Sequence, residues 1–260
     1  MPERYKCEVV YSEQLCEDIY LMTIINEQLA KNAKIGQFLH INCGHSRLLR
    51  RPISISSVRG GYLEFIFEVK GSGTKWLSKR EKGKSIDVLG PLGNGFSLPA
   101  KDNAKIILVG GGIGAPPMLF VAEEAKDRGI AFGTILGFRD KTRVILENEF
   151  KSLCDDVTIV TDDGSYQDKG FVTTPLEVHL KNGEYDAVLA CGPIPMLKAV
   201  SDICNKYNTS CQVSLEEHMG CGVGACLVCA CATSNNGVDE MSRVCIEGPV
   251  FDSKCIKWNV

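Results

Sequence analysis

Five cysteines lie close together late in the chain: Cys221, Cys226, Cys229, Cys231 and Cys245. Three of them follow the spacing C-x4-C-x2-C, and Cys245 comes later, which is the ligand pattern of a plant-type 2Fe–2S cluster. The glycines between the first two cysteines let the backbone fold tightly around inorganic sulfide, and loop amides can stabilise the negative charge of a cluster. The spacing therefore predicts a 2Fe–2S site formed by Cys221, Cys226, Cys229 and Cys245.

A four-thiolate zinc site is the alternative for this segment. Zinc ribbons favour two short-spaced CxxC pairs, and no second pair surrounds Cys245. Cys231 is an extra cysteine that we expect to point away from the cluster. His218 suggests a Rieske-type ligand, but four cysteines are present without it, so we expect it to be a bystander. A zinc-dependent assembly module is therefore kept as a competing, non-enzymatic hypothesis.

The composition is that of a globular protein and excludes some classes of function. Of 260 residues, 44% are hydrophobic and 23% charged, and the net charge is −3. Core material is therefore ample, and no basic excess exists to neutralise nucleic-acid phosphates. The first residues lack the apolar stretch of a signal peptide, and no window reaches the length of a membrane span. We expect a cytoplasmic protein whose thirteen cysteines form no structural disulfides.

The segments that must position the cysteines change character along the chain. Residues 1–100 contain short runs of β-branched and aromatic residues between Gly, Asn and Ser, which predicts a small antiparallel barrel. From Lys105, strand-like runs alternate with helix-like runs, which predicts a doubly wound parallel sheet. From about Ser210 we expect irregular chain. The predicted fold class is thus α+β and multi-domain, with a β-barrel at 1–100, an α/β nucleotide domain at 101–209 and a cluster segment at 210–260.

Two turns in the second part indicate a dinucleotide site. Gly110–Gly114 follows a predicted strand and opens a helix, so its backbone N–H groups can face a pyrophosphate, although such turns also serve close packing alone. Cys191–Pro193 ends a later apolar strand, and both turns should lie at the carboxyl edge of the sheet, where ligands bind. Cys191 is otherwise a buried cysteine finishing a core strand. Arg139, at the end of the second strand, leaves NAD and NADP both open.

A flavin is indicated chiefly by the number of electrons that each cofactor transfers. A nicotinamide transfers two electrons as hydride, whereas a 2Fe–2S cluster accepts one, so a group able to do both must lie between them. No haem motif or second cluster motif is present. The segment Arg50–Ile55 has an arginine fork for phosphate and a serine for a heterocycle, although an exposed basic pair before a core strand is the plainer interpretation. Gly71–Thr74 opens a short predicted helix and is another possible phosphate contact.

Taken together, the motifs resemble those of a known family. They are, in chain order, RRPISI, GPLGNGF, GGGIGAPPM, TDDGS with KGFVT, ACGP with PML, and EEHMGCGVGACLVC with RVCIEGPVF. This order resembles the electron-transfer subunits of class 1B dihydroorotate dehydrogenases, within the ferredoxin–NADP reductase superfamily. The resemblance covers essentially the whole chain, and the GCGVGAC core is its most discriminating part.

The resemblance implies the residues of two further sites. For FAD they are Arg51, Pro52, Ile53, Ser54, Glu68, Val69, Lys70, Gly73 and Thr74. For NAD they are Gly111, Gly112, Ile113, Gly114, Ala115, Cys191, Gly192 and Pro193. Ser54 would lie near the reactive face of the flavin ring, and Cys191 near the nicotinamide.

The resemblance also implies a partner and a pathway of electrons. A separate catalytic subunit carrying FMN would oxidise dihydroorotate to orotate for pyrimidine biosynthesis, in a heterotetramer of two copies of each subunit. Electrons would pass from FMN through the cluster and FAD to NAD, with no catalytic acid or base in this chain. The first alternative is the small subunit of an NADPH-linked ferredoxin or sulfide oxidoreductase, which has a similar layout.

Overall fold

The computed structural model describes residues 3–44, 48–235 and 237–258. These residues form two seven-stranded sheets and one two-stranded hairpin. Within the same ranges, no helix is both long enough and apolar enough to cross a membrane.

The first sheet is antiparallel and is built from the first seven strands. They are β1 (Glu3–Cys16), β2 (Ile19–Ile25), β3 (Phe38–Asn42), β4 (Arg51–Ser54), β5 (Ser57–Arg59), β6 (Tyr62–Glu68) and β7 (Ser85–Leu92). Their order in the sheet is β4-β3-β7-β1-β2-β6-β5. Two short helices accompany them, α1 (Glu27–Asn32) and α2 (Ser72–Leu77).

This sheet curls because its two edge strands are consecutive in the chain. Only Ile55 and Ser56 separate β4 from β5, so the opposite edges of the sheet must meet. The Ile55 N–H donates to the carbonyl of Gln37 at 3.1 Å. The Ser56 N–H donates at 2.9 Å to the carbonyl of Glu64 on β6, the strand beside the other edge strand. The predicted antiparallel barrel is confirmed, and Arg51–Ser54 lies where it closes.

The second sheet alternates strands with helices. The remaining strands are β8 (Lys105–Gly111), β9 (Ala131–Phe138), β10 (Val157–Thr161), β11 (Asp168–Lys169), β12 (Ala187–Cys191), β13 (Ser210–Ser214), β14 (Ala230–Asn235), β15 (Val238–Arg243) and β16 (Val250–Asp252). The remaining helices are α3 (Ala115–Asp127), α4 (Glu147–Leu153), α5 (Thr173–Asn182) and α6 (Ile194–Lys206). The sheet order is β11-β10-β9-β8-β12-β13-β16, and β14 pairs with β15 as the hairpin.

Helices cover both faces of the second sheet. Along β8, Ile106 and Leu108 belong to the core that contains the apolar residues of α3. Ile107 and Val109 belong to the core that contains those of α5 and α6. Because successive residues of a strand point to opposite faces, the helices lie on opposite sides. The doubly wound α/β prediction is confirmed.

The chain beyond Ser210 is more regular than the sequence indicates, so the expectation of irregular chain there was wrong. β13 pairs in parallel with β12, and β16 returns antiparallel to β13. Between them, β14 and β15 form the hairpin. Most residues of β15 are exposed, so no apolar alternation reveals it in the sequence. The domain boundaries after residues 100 and 209 stay a prediction.

A carboxylate ties the barrel to the second sheet. Glu123, on α3, accepts a hydrogen bond from the Ser57 hydroxyl at 2.7 Å and pairs with Arg59. Both partners belong to β5, and the Glu123 side chain is 14% exposed. This contact therefore fixes one edge of the barrel to the helix that follows the glycine-rich turn.

We expect Glu123→Ala to lower the free energy of unfolding by about 1–2 kcal/mol, because Ser57 loses a hydrogen-bond partner in a poorly solvated place. Glu124→Ala is the matched control on the same helix, since Glu124 pairs with Arg128 at the surface. We expect that control to change the same quantity by about 0.5 kcal/mol or less. Denaturant titration of both variants measures the difference, and equal losses would contradict the assignment.

Candidate functional site

A cavity of about 560 Å³ lies between the barrel and the later part of the chain. Seven of the residues predicted for FAD line it: Arg51, Pro52, Ile53, Ser54, Glu68, Lys70 and Thr74. The opposite side consists mainly of residues 214–219, and it includes His218, which the sequence suggested to be a bystander. The volume lies within the range of small-molecule sites, and the mixture of apolar, cationic and hydroxyl groups suits a flavin nucleotide.

The two other residues predicted for FAD lie beside the cavity without lining it. Val69 is half-buried between Glu68 and Lys70. Gly73 lies against the Arg51 guanidinium, because a Cβ on Gly73 would stand 2.7 Å from Arg51 Nε. Arg51 Nη1 donates to the carbonyl of Leu49 at 2.6 Å, and a guanidinium has five N–H donors. The remaining donors can reach an anionic ligand.

The Thr74 side chain stabilises the turn in the same segment. Its hydroxyl accepts a hydrogen bond from the Lys70 N–H at 3.0 Å, so it closes the turn between β6 and α2. This bond positions Lys70, which pairs with Glu68 at 3.3 Å. Glu68 also lies 3.5 Å from Arg143. The carboxylate is therefore held between two cations at the edge of the cavity.

A second cavity of about 440 Å³ adjoins the first. Five of the residues predicted for NAD line it: Gly111, Gly112, Ile113, Gly192 and Pro193. Arg139 lines it as well. Four residues, Glu68, Lys70, Ile113 and Glu216, line both cavities. Ligands bound in the two cavities would therefore meet at the boundary that these four residues form.

The remaining predicted NAD residues lie beneath the second cavity. Gly114, Ala115 and Cys191 are buried. A Cβ on Gly114 would stand 2.3 Å from the carbonyl oxygen of Cys191, so only glycine lets the two turns touch through their backbones. Burial raises the pKa of the Cys191 thiol to about 12, and the nearby charge of Glu216 acts in the same direction. Cys191 is therefore a neutral thiol and not a thiolate nucleophile.

The structure brings the four cysteines predicted for the cluster together. The thiol of Cys221 interacts with that of Cys226, and Cys245 interacts with Cys229 and Cys221. Cys229 and Cys245 are buried, whereas Cys226 is exposed. Within residues 3–44, 48–235 and 237–258, no three His, Cys, Asp or Glu side chains are arranged to hold a single metal ion.

Backbone amides converge on the sulfur of Cys221. The N–H groups of Val223 and Ala225 lie 3.4 Å and 3.3 Å from Cys221 Sγ. Although burial opposes the charged form, these hydrogen bonds and the Cys226 thiol lower the pKa of Cys221 to about 7. By contrast, burial and then Cys229 raise the pKa of Cys245 to about 12. The loop thus stabilises anionic sulfur on one side, which fits an iron–sulfur cluster.

Cys231 occupies a different setting from the other four. It lies on β14 opposite Ser242, and it is half-buried. Burial raises the pKa of its thiol to about 11. Because Cys231 belongs to the hairpin, it is not part of the loop that carries Cys221 and Cys226.

Three residues that were not selected as site residues from the sequence support the cluster segment. Arg243 Nη1 donates to the carbonyl of Gly224 at 3.1 Å, and its charge lies near Cys245 and Cys229. Asn94, from the GPLGNGF motif, donates through its backbone N–H to Gly248 at 2.6 Å. This role depends on a contact between distant parts of the chain, which no local pattern shows.

The third such residue is His40, on β3. It is fully buried, and within the described residues neither ring nitrogen makes a well-formed hydrogen bond, although backbone groups of Arg50 and Cys221 lie beside the ring. Burial, followed by the charge of Arg50, lowers the pKa of His40 to about 4, so the ring is neutral at pH 7. In the sequence His40 is simply one residue of a predicted strand.

Comparison with known proteins identifies the family. A family model for the iron-sulfur cluster binding domain of dihydroorotate dehydrogenase B matches residues 216–257. A Bacillus pumilus protein named dihydroorotate dehydrogenase B (NAD(+)), electron transfer subunit, is 40% identical over 95% of both chains. A Desulforamulus reducens protein of the same name is 37% identical over 99% of this chain and 100% of its own. The chain belongs to this family.

Solved structures agree with this family of electron transfer subunits. A chain of the NADH-dependent reduced ferredoxin-NADP oxidoreductase matches 98% of this chain and 91% of its own, with a TM-score of 0.88 and 29% identity. The ferredoxin reductase in carbazole 1,9a-dioxygenase matches 80% of this chain and 67% of its own, with a TM-score of 0.69 and 19% identity, which shows the fold alone. The predicted resemblance is confirmed. The family and the fold also support a 2Fe–2S cluster, FAD and NAD as the cofactors of this chain. The zinc hypothesis has no support among these relatives.

We expect Arg51→Gln to weaken FAD binding about 10- to 100-fold, because a hydrogen bond to a charged group contributes about 1.5–3 kcal/mol. Equilibrium dialysis with fluorescence detection of released FAD measures the effect. Arg59→Gln is the matched control: it makes the same change of charge on β5, where Arg59 pairs with Glu123 outside the cavity. An Arg51→Gln protein that retains FAD as tightly as the control would show the cavity assignment to be wrong.

Proposed function

We propose that this chain is the electron-transfer subunit of an NAD-dependent dihydroorotate dehydrogenase in pyrimidine (UMP) biosynthesis. In this proposal electrons from the FMN of a catalytic subunit pass through a 2Fe–2S cluster and FAD to NAD. The observation that carries it is that the cysteine loop, the first cavity and the second cavity adjoin one another within a member of this family. When bound, FAD supplies the chemistry that exchanges hydride with nicotinamide and single electrons with a cluster.

The assignment of residues follows the cavities. We assign FAD to Arg51–Ser54, Glu68–Lys70 and Gly73–Thr74, and NAD to Gly111–Ala115 and Cys191–Pro193. Ile113 lines both cavities, so its side chain lies where the two ring systems would meet. Hydride exchange needs close approach of the rings and exclusion of water. The residues at the boundary therefore position and shield the rings, and no acid or base is required.

The cluster segment forms one side of the flavin cavity. His218 and Met219 line the cavity, and the cluster cysteine Cys221 follows two positions later. Pro249 lines it too, four positions after Cys245. Both ends of the cysteine loop therefore run along the flavin site. We assign the cluster to Cys221, Cys226, Cys229 and Cys245.

The outer side of the cysteine loop offers a contact surface for the catalytic subunit. Val223, Leu227 and Val228 are 42%, 63% and 54% exposed, and they flank the exposed Cys226. Adjacent exposed apolar side chains mark interaction sites, and electrons must enter the cluster near such a surface. We propose that the FMN-carrying subunit docks here, in a heterotetramer of two copies of each subunit.

Cysteine usage supports a cytoplasmic location for this complex. Cysteines spread along the chain, such as Cys7, Cys154 and Cys204, are free thiols and not disulfides, as is usual in a reducing compartment. The alternative function, the small subunit of an NADPH-linked ferredoxin or sulfide oxidoreductase, is not favoured. The dihydroorotate dehydrogenase relatives reach 40% identity, compared with 29% for the ferredoxin-NADP oxidoreductase chain.

In the complex with the catalytic subunit, we expect Cys226→Ser to reduce dihydroorotate-dependent NAD reduction to background. The reason is that a cluster ligand is lost while the FAD and NAD cavities stay intact. NADH-driven bleaching of FAD should persist in the same variant. Cys231→Ser is the matched control and should retain the full rate, because Cys231 lies on the hairpin. Absorbance of NADH and of flavin follows both reactions.

Two results would overturn the proposed function. One is a Cys226→Ser complex that reduces NAD with dihydroorotate at the rate of the control. The other is an anaerobically purified complex that contains no iron and no acid-labile sulfide. A colourless protein that binds zinc would support the assembly-module hypothesis instead.

A further inference from the structure

His40 is the buried polar side chain that the proposed function leaves unexplained. Its exposed fraction is 0%, and within the described residues neither Nδ1 nor Nε2 makes a well-formed hydrogen bond, although backbone groups of Arg50 and Cys221 lie close enough to act on the ring as hydrogen-bond partners. Buried polar groups are nearly always hydrogen-bonded, because an unmade bond costs stability. A fully buried histidine without well-formed hydrogen bonds therefore needs a specific structural explanation.

One side of His40 faces the flavin segment. His40 pairs across the sheet with Pro52, in the strand that lines the flavin cavity. Arg50 Nη1 donates to the His40 carbonyl at 3.1 Å, and Arg50 Nη2 lies 2.6 Å from Asp87. The backbone of His40 is thus fixed to the barrel on both neighbouring strands.

The other side of His40 touches the cysteine loop. A Cβ on Gly222 would stand 2.5 Å from His40 Nδ1, and Gly222 has a φ of +72°. The loop backbone therefore lies directly on the imidazole ring, which only a glycine permits. Gly222 immediately follows Cys221, and the backbone of Cys221 also lies close to the ring. The imidazole fills the space between the flavin strand and the cysteine loop.

We propose that His40 is a positioning residue that sets the separation between the flavin strand and the cluster loop. Its Nδ1 faces the loop at Gly222, and backbone groups of Arg50 and Cys221 lie beside the ring, so the imidazole bridges the flavin strand and the loop. Electron tunnelling falls steeply with distance, so the group that spaces the two sites controls the rate between them. This inference rests on the proposed function.

The test compares two rates in one experiment. NADH supplies two electrons as hydride, of which one can reduce the cluster while the other stays on the flavin. Anaerobic stopped-flow mixing of the holo complex with NADH follows flavin bleaching, and freeze-quench EPR follows the reduced cluster. His40→Leu removes both nitrogens at similar volume. His40→Asn returns a polar nitrogen near the position of Nδ1.

We expect His40→Leu to slow cluster reduction about tenfold or more, because small displacements of reacting groups are costly in rate. Flavin bleaching should stay at the wild-type rate, and His40→Asn should recover part of the lost rate. The EPR line shape of the reduced cluster should shift in His40→Leu and return toward wild type in His40→Asn. His179→Leu is the control, since His179 contacts Tyr185 on the far side of the nucleotide sheet.

The inference is wrong if cluster reduction in His40→Leu matches the His179→Leu control, or if flavin bleaching and cluster reduction slow by the same factor. Should His40→Leu not fold, the comparison of His40→Asn with His40→Gln decides, since each returns one nitrogen at a different place. Equal wild-type rates in those two variants would also overturn it. Wild-type complex without iron or acid-labile sulfide would instead refute the proposed function.

Discussion

The proposed electron relay places one constraint on the structure: the cluster, FAD and NAD sites must lie close together, because electrons tunnel over short distances and hydride passes only between touching rings. No single part of the fold meets it. Residues of the barrel, the glycine-rich turn and the cysteine segment together line the first cavity. Two contacts hold these parts in place, Glu123 with β5 and Asn94 with Gly248. These contacts therefore join the three parts that form the cavity proposed for FAD.

Electrostatics around the cysteine loop favours the cluster over free thiols. Amides of Val223 and Ala225 point at the sulfur of Cys221, and the cation of Arg243 lies near Cys245 and Cys229. Burial alone would keep Cys245 protonated. Iron supplies the missing positive charge, so cluster assembly must release protons from the buried thiols. The segment therefore favours a bound anionic cluster over four neutral thiols.

Local patterns in the sequence predicted much of the fold, whereas contacts between distant residues remained hidden. The alternation of strands and helices, and the spacing of Cys221, Cys226 and Cys229, lie within short windows, so both were visible. β15 was missed because its exposed residues carry no apolar alternation. His40 and Arg243 were missed because the loop residues that they contact, Gly222 and Gly224, lie far away in the chain. For the same reason, the backbone contact between Gly114 and Cys191 followed from no sequence rule, although a buried cysteine at the end of a core strand was anticipated.

The pairing of β13 with β16 has a consequence for how such chains evolve. Ser214 lies opposite Val250 in this antiparallel pair, so the ends of the intervening stretch are only about 5 Å apart. The whole cysteine-bearing stretch is thus an insertion between β13 and β16, which are neighbours in the sheet. Its length or content can change without altering the register of any other strand. A reductase scaffold can therefore gain or lose a metal centre by a single local insertion or deletion.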